Sequence, residues 1–189
     1  IEALGTGLLF LGWWSHYQWG SALYLSVFHA VSAFCNAGFT LFEGSLTAYR
    51  HEPFINGIFI VLIIAGGIGF VVLHELRRWV TKRIPLSLHS KVVLTTTVAL
   101  IGAGTLLFFL LERKNAVDGL GLGEGLLISL FQSVTARTAG FSTVDFGQLT
   151  NATLFIVMIL MFFGASPGSC GGGVKTTNLA ILFITARNR

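Results

Sequence analysis

Phe28-His29-Ala30-Val31-Ser32-Ala33 followed by Asn36-Ala37-Gly38-Phe39, and Phe131-Gln132-Ser133-Val134-Thr135-Ala136 followed by Thr138-Ala139-Gly140-Phe141, are two readings of one pattern. A single-residue gap brings them into register. Each sits in an apolar stretch long enough to cross a bilayer, Ser21 to Phe42 and Leu126 to Phe146. Each also carries a polar run at its middle: Ser32, Cys35 and Asn36 in the first, and Gln132, Ser133, Thr135, Arg137 and Thr138 in the second. An apolar span precedes each copy, and a polar loop and a second apolar span follow it. The repeat unit is therefore helix, turn-bearing segment, helix, about 100 residues long.

The surrounding composition sets this pattern in a membrane. Of 189 residues, 53% are hydrophobic and 11% charged, against about 25% charged in soluble domains. No Asp, Glu, Lys or Arg occurs between Glu2 and Glu43, Glu52 and Glu75, Lys91 and Glu112, or Asp145 and Lys175. Each gap reaches the roughly 20 residues that cross about 30 Å of hydrocarbon. The net charge of +4 does not point to nucleic acid, because of where the basic residues fall. Arg77, Arg78, Lys82, Arg83 and Lys91 crowd into the connection between the spans Pro53 to Leu76 and Val92 to Leu111, while Arg187 and Arg189 close the chain. This is a positive-inside distribution, so residues 74–91 and the C-terminal end are expected in the cytoplasm of a cell-membrane protein. Glu43 to Glu52 and Glu112 to Glu124 are then outside. Cys35 and Cys170 have no CxxC spacing and read as packing residues. The five histidines have no ligand spacing and are assigned no chemistry. The chain opens at Ile1 within a hydrophobic stretch and reads as a fragment.

With both flanks outside, each turn-bearing segment must enter and leave on one face. Backbone that turns at membrane depth survives only when buried in protein or lining a wet cavity. The expected fold is thus an all-α integral membrane protein of repeated helix, re-entrant pore loop, helix units. Both copies run the same way, which suits units around a central pore along the membrane normal. The turns offer small side chains and no carboxylate, so backbone carbonyls are the available ligands, as suits a large, weakly hydrated cation such as potassium. Taken singly, Ala-Gly-Phe also reads as a helix-packing turn; the second matched copy favours the pore.

The last span is broken. Gly164, Ala165, Ser166, Pro167, Gly168, Ser169, Cys170, Gly171, Gly172, Gly173, Val174 and Lys175 interrupt an apolar helix, and such a run predicts a flexible loop at membrane depth. Below the turns it obstructs an ion path, with Lys175 adding repulsion; the alternative is a kink that lets helices approach. Its Gly-Val-Lys-Thr ending imitates a nucleotide-binding loop in the wrong register. Arg137 needs a partner at this depth, and Asp145, on the outer side of the same turn, is the expected one.

The stretches Ser32 to Phe39, Arg137 to Thr143 and Gly164 to Thr177 closely resemble the Trk/Ktr/HKT superfamily of potassium transporters, especially the membrane subunit of bacterial Ktr-type uptake systems. The family has four such units in one chain. The resemblance makes residues 1–87 the second unit, truncated at its start, and 88–189 the third, with 164–177 as an intramembrane gating loop. It implies Gly38 and Gly140 as filter glycines, with Asn36 to Phe39 and Thr138 to Phe141 supplying carbonyls. Cys170 stands where threonine is expected, and Ala136 where proline is common. The family further implies no covalent cofactor, potassium as the transported ion, sodium as a coupling or activating ion, a homodimer in the lipid bilayer, and a cytosolic ring of nucleotide-binding regulatory subunits. Two other classes stand beside this reading: a secondary transporter of a small solute binding at broken helices, and a non-transporting anchor. No nucleophile–base pair or metal-ligand cluster in the sequence supports an enzyme.

Overall fold

The regular elements of the computed structural model, which describes residues 1–187, are all helices. Asn188 and Arg189, the latter counted above among the inner basic residues, lie outside the described residues. Helices α1 (Glu2–Trp13) and α2 (Trp19–Phe34) form a hairpin against α3 (Pro53–Ile68). After α4 (Phe70–Lys82), helix α5 (Leu88–Glu112) packs on α6 (Leu122–Ala136) and α7 (Asn151–Phe162), and α8 (Thr176–Arg187) follows the glycine-rich segment.

Local chemistry sets the boundaries. Pro53 occupies the start of α3, where its missing N–H leaves no bond unmade. Ser87 opens α5 by accepting from the Ser90 N–H at 3.2 Å, and Thr150 opens α7 by accepting from Thr153 N–H at 3.3 Å, each satisfying a donor the helix cannot. Helix α5 has 25 residues and is long and apolar enough to cross a bilayer by itself.

The span expected from Pro53 to Leu76 is not one helix. It ends at Ile68, and α4 leaves at 108° to α3. Gly69, at φ +92° and ψ 149°, makes the corner in backbone that side chains disfavour. Beyond it, Val72, Leu73 and Leu76 turn inward towards Ile68, Val93 and Leu94, while Arg77, Arg78, Trp79 and Lys82 are exposed. Phe70, Val71 and Val80 are exposed as well, and a helix that carries apolar and basic side chains together on its outside is suited to lying along an interface.

The two halves share one core. Ala30, Ala33, Phe59, Leu62 and Ile63 of the first cluster with Phe131, Val134, Ala139 and Phe141 of the second, and the Phe59 and Phe141 rings meet edge to face at 5.1 Å. Close approach of α5 and α6 depends on Gly104, where a Cβ would lie 2.3 Å from Ser133 Oγ. That hydroxyl donates to the Ile101 carbonyl at 2.8 Å, the small-residue packing that membrane helices favour. Polar contacts also tie the loops. Leu46 N–H donates to Ser142 O at 2.8 Å and Ser142 N–H to Ser45 Oγ at 3.0 Å. Arg50 reaches the Ala116 carbonyl, and His51 pairs with Glu124.

Candidate functional site

The sequence repeat is reproduced in the backbone of the two turns. Asn36 and Thr138 have φ of +51° and +71°, and Gly38 and Gly140 have +71° and +85°. These pairs are the ones the single-gap alignment equates. Ser32 Oγ donates to the Phe39 carbonyl at 2.7 Å, and Thr135 Oγ1 donates to the Phe141 carbonyl at 2.7 Å. Each helix thus uses a hydroxyl near its end to hold the chain that doubles back along it. Three residues earlier on each helix, His29 Nε2 bonds Thr40 Oγ1 at 3.1 Å, one residue past Phe39, and Gln132 Nε2 donates to Thr143 Oγ1 at 3.0 Å, two residues past Phe141. His29, assigned no chemistry from the sequence, is therefore a buried brace of the first turn. The alignment already sets His29 against Gln132, and reading that pair as two polar braces of the returning chain would have found it.

The turns also meet one another. A Cβ on Gly38 would fall 2.7 Å from the Ala139 carbonyl oxygen and 3.0 Å from Gly140 Cα, so the second turn lies directly against the first. Among the described residues, no protein donor reaches the carbonyls of Asn36, Ala37, Gly38, Thr138, Ala139 or Gly140. Clustered carbonyls left without internal partners are free to accept from water or to ligate a cation. Phe39 and Phe141, although engaged by hydroxyls, keep a second lone pair each. A cavity of about 690 Å³ is lined by Asn36, Ala37, Thr138 and Gly140 together with Met158 and Met161 of α7.

The pairing of Arg137 with Asp145 is not formed. Asp145 is exposed and accepts from Gly147 N–H at 2.9 Å, closing the short turn Phe146–Gln148. Arg137 is 6% exposed, its Nε has no partner, and among the described residues no carboxylate lies within ion-pair distance of it. Asp145 is drawn outward by its own local backbone, which offers a nearer donor than the buried guanidinium.

The carboxylate the sequence reading passes over is Glu112. It is fully buried and accepts from Thr150 N–H and Oγ1 at 2.9 Å each and from Thr153 Oγ1 at 2.5 Å. Asn115 Nδ2 donates to its other oxygen at 2.7 Å. It clamps the end of α5 to the start of α7.

The segment Gly164 to Lys175 is non-helical, as expected, but it is docked. At the broken end of α3 the carbonyls of Gly66 and Gly67 lack helical partners. Cys170 N–H donates to Gly66 O at 3.1 Å, Ser166 N–H to Gly67 O at 3.0 Å, and Phe70 N–H returns a bond to Gly168 O at 3.1 Å. The two irregularities, the corner at Gly69 and the glycine-rich loop, satisfy each other. Beneath the turns, Gly172 N–H donates to Thr138 Oγ1 at 3.1 Å. Lys175 Nζ folds back onto the Gly171 carbonyl at 3.0 Å.

Residues 8–189 match the family model described as TrkH, cation transport protein. The chain is 39% identical to the Ktr system potassium uptake protein B of Vibrio alginolyticus, over 97% of this chain and 41% of that protein. It is also 39% identical to the potassium/sodium uptake protein NtpJ of Enterococcus hirae, over 97% of this chain and 41% of that protein. The crystal structure of the potassium transporter TrkH from Vibrio parahaemolyticus superposes with a TM-score of 0.77 at 21% identity, over 97% of this chain and 38% of that one. The chain thus spans about two-fifths of the length of these relatives.

Proposed function

The chain belongs to the TrkH family of cation transport proteins, and from that premise we propose that it forms half of a potassium-selective pore in a membrane transporter. The matched pair of turns, abutting and rich in carbonyls without internal donors, is the observation that carries this reading. Asn36 to Phe39 and Thr138 to Phe141 supply two of the four arcs of the filter. Their carbonyl oxygens replace the hydration shell of the passing ion, and the positive φ at each turn aims them. Residues 1–87 and 88–189 are consecutive units of the ring, with 74–91 on the cytoplasmic side. The loop 164–177 gates the path: it bonds to Thr138 from below and withdraws for conduction.

Potassium is the ion that the Ktr relative's name carries and that small, neutral, carbonyl-lined turns suit; sodium, in the name of the Enterococcus relative, acts as a coupling or accompanying ion. The cytosolic partner is a nucleotide-binding ring, and the membrane subunit is a homodimer. A solute carrier with its site at broken helices would need polar side chains converging there, whereas Ala, Gly and Phe fill most of both turns.

The test uses the full-length protein that contains this segment, expressed in a bacterium lacking potassium uptake and grown at low potassium. Growth rescue with saturable rubidium uptake is expected. Absence of rescue at verified membrane expression rejects the assignment.

A further inference from the structure

The sequence separates Cys35 and Cys170 by most of the chain, and the fold brings both to one residue, Gly66. On one side, the carbonyl oxygen of Phe34 would lie only 1.7 Å from a Cβ at Gly66, and Asn36 Nδ2 would lie 2.9 Å from it. The residues flanking Cys35 are therefore pressed onto this glycine. On the other side, Cys170 N–H donates to the Gly66 carbonyl at 3.1 Å. Cys35 thus sits between the two residues that press on Gly66 while Cys170 is bonded to its carbonyl; both thiols are unbridged, and both are exposed among the described residues. Cys35 stands at the end of the helix leading into the first turn, and Cys170 rides on the glycine-rich loop.

We propose that Cys35 and Cys170 are a redox modification site: a peroxide converts the pair to a disulfide that fastens the loop to the pore helix. One thiolate attacks a peroxide oxygen, the O–O bond breaks, and hydroxide leaves and is protonated to water, giving a sulfenic acid. The second thiolate attacks that sulfur; the S–S bond forms, the S–O bond breaks, and the hydroxyl leaves as a second water. Two thiols and one hydrogen peroxide thus yield one disulfide and two waters, and a dithiol reductant reverses the change. The hydrogen bonds that dock the loop open and close reversibly, whereas the disulfide holds it until it is reduced. The consequence for flux rests on the gate reading given above.

The full-length protein in inside-out and right-side-out vesicles is treated with hydrogen peroxide. A Cys35–Cys170 linked peptide is sought by mass spectrometry after peptic digestion, and rubidium flux is followed in parallel. The linked peptide is expected, with loss of most of the flux and recovery in dithiothreitol. Cys35→Ser should keep the untreated flux and lose both the linked peptide and the peroxide response. Absence of the linked peptide in oxidised wild-type protein overturns the proposal whatever the flux does. A linked peptide with unchanged flux upholds the redox site and rejects the loop as a gate.

Discussion

Gly38 and Gly140 occupy left-handed backbone in which a side chain costs roughly 1–2 kcal/mol, and the two sites differ in the space around them. A Cβ on Gly38 would press on the Ala139 carbonyl at 2.7 Å, while one on Gly140 would meet Gly38 Cα at 3.1 Å. Both Gly38→Ser and Gly140→Ser should weaken potassium over sodium discrimination, Gly38→Ser more. The backbone cost alone amounts to roughly a tenfold change. Competition of sodium with rubidium uptake measures it, and unchanged selectivity in both variants removes the filter assignment. Ser32→Ala and Thr135→Val delete the hydroxyls that hold the returning chain, at about 1 kcal/mol each; denaturation in detergent should show similar losses for the two, because the bonds are equivalent. At this scale the repeat was legible because two copies cross-check each other residue by residue. Arg137 and Asp145 have no second copy, and proximity in sequence picked a carboxylate whose own turn held it elsewhere.

The helices were legible where one apolar run meant one element. Leu88–Glu112 contains the expected span from Val92 to Leu111, whereas Pro53 to Leu76 looked equally continuous and is broken at Gly69. The missing information lay far along the chain, in the loop amides that donate to the freed carbonyls of α3. Gly69→Ala would strain φ +92° and bring a Cβ to 2.6 Å from the Pro167 carbonyl. It should lower thermal stability by at least 1–2 kcal/mol and expose the loop to protease, whereas a straight-helix reading expects stabilisation from alanine. Glu112→Ala strips the acceptor from three threonine and asparagine side chains and should cost about 1–3 kcal/mol, read by melting against Glu112→Gln. At the other end of α5, Glu75 accepts from the Ser87 N–H at 3.0 Å. The neighbouring Ser90 hydroxyl and the hydrogen bond from Ser87 hold its carboxyl below the ordinary glutamate range. A depressed folded value means that the stabilisation is present above the unfolded value of about 4.3 and is lost as pH falls through the lower folded one. Glu75→Gln should therefore be less stable near neutrality and show a shallower acid limb in melts of the solubilised protein.

In the whole molecule, the docked loop is the part that composition foresaw and pattern could not place. A proline and a run of glycines announced irregular backbone, but not that α3 ends so as to receive it. Removing Ser169 to Gly172 takes out the amides that engage Gly66 O and Thr138 Oγ1. At matched membrane expression it should raise the maximal uptake rate, and flat or lowered uptake would reject the gate. The Thr138 hydroxyl, bonded to the loop while its own residue forms part of the upper turn, has one more implication. On the filter and gate proposed above, Thr138 would belong at once to the part that discriminates and the part that opens, so the two free energies would be linked and the linkage would run both ways. Withdrawing the loop would release that hydroxyl and shift ion affinity in its turn. By reciprocity, an ion resting in the turns would change the balance between docked and withdrawn loop by the same factor, which would make the permeant species its own effector.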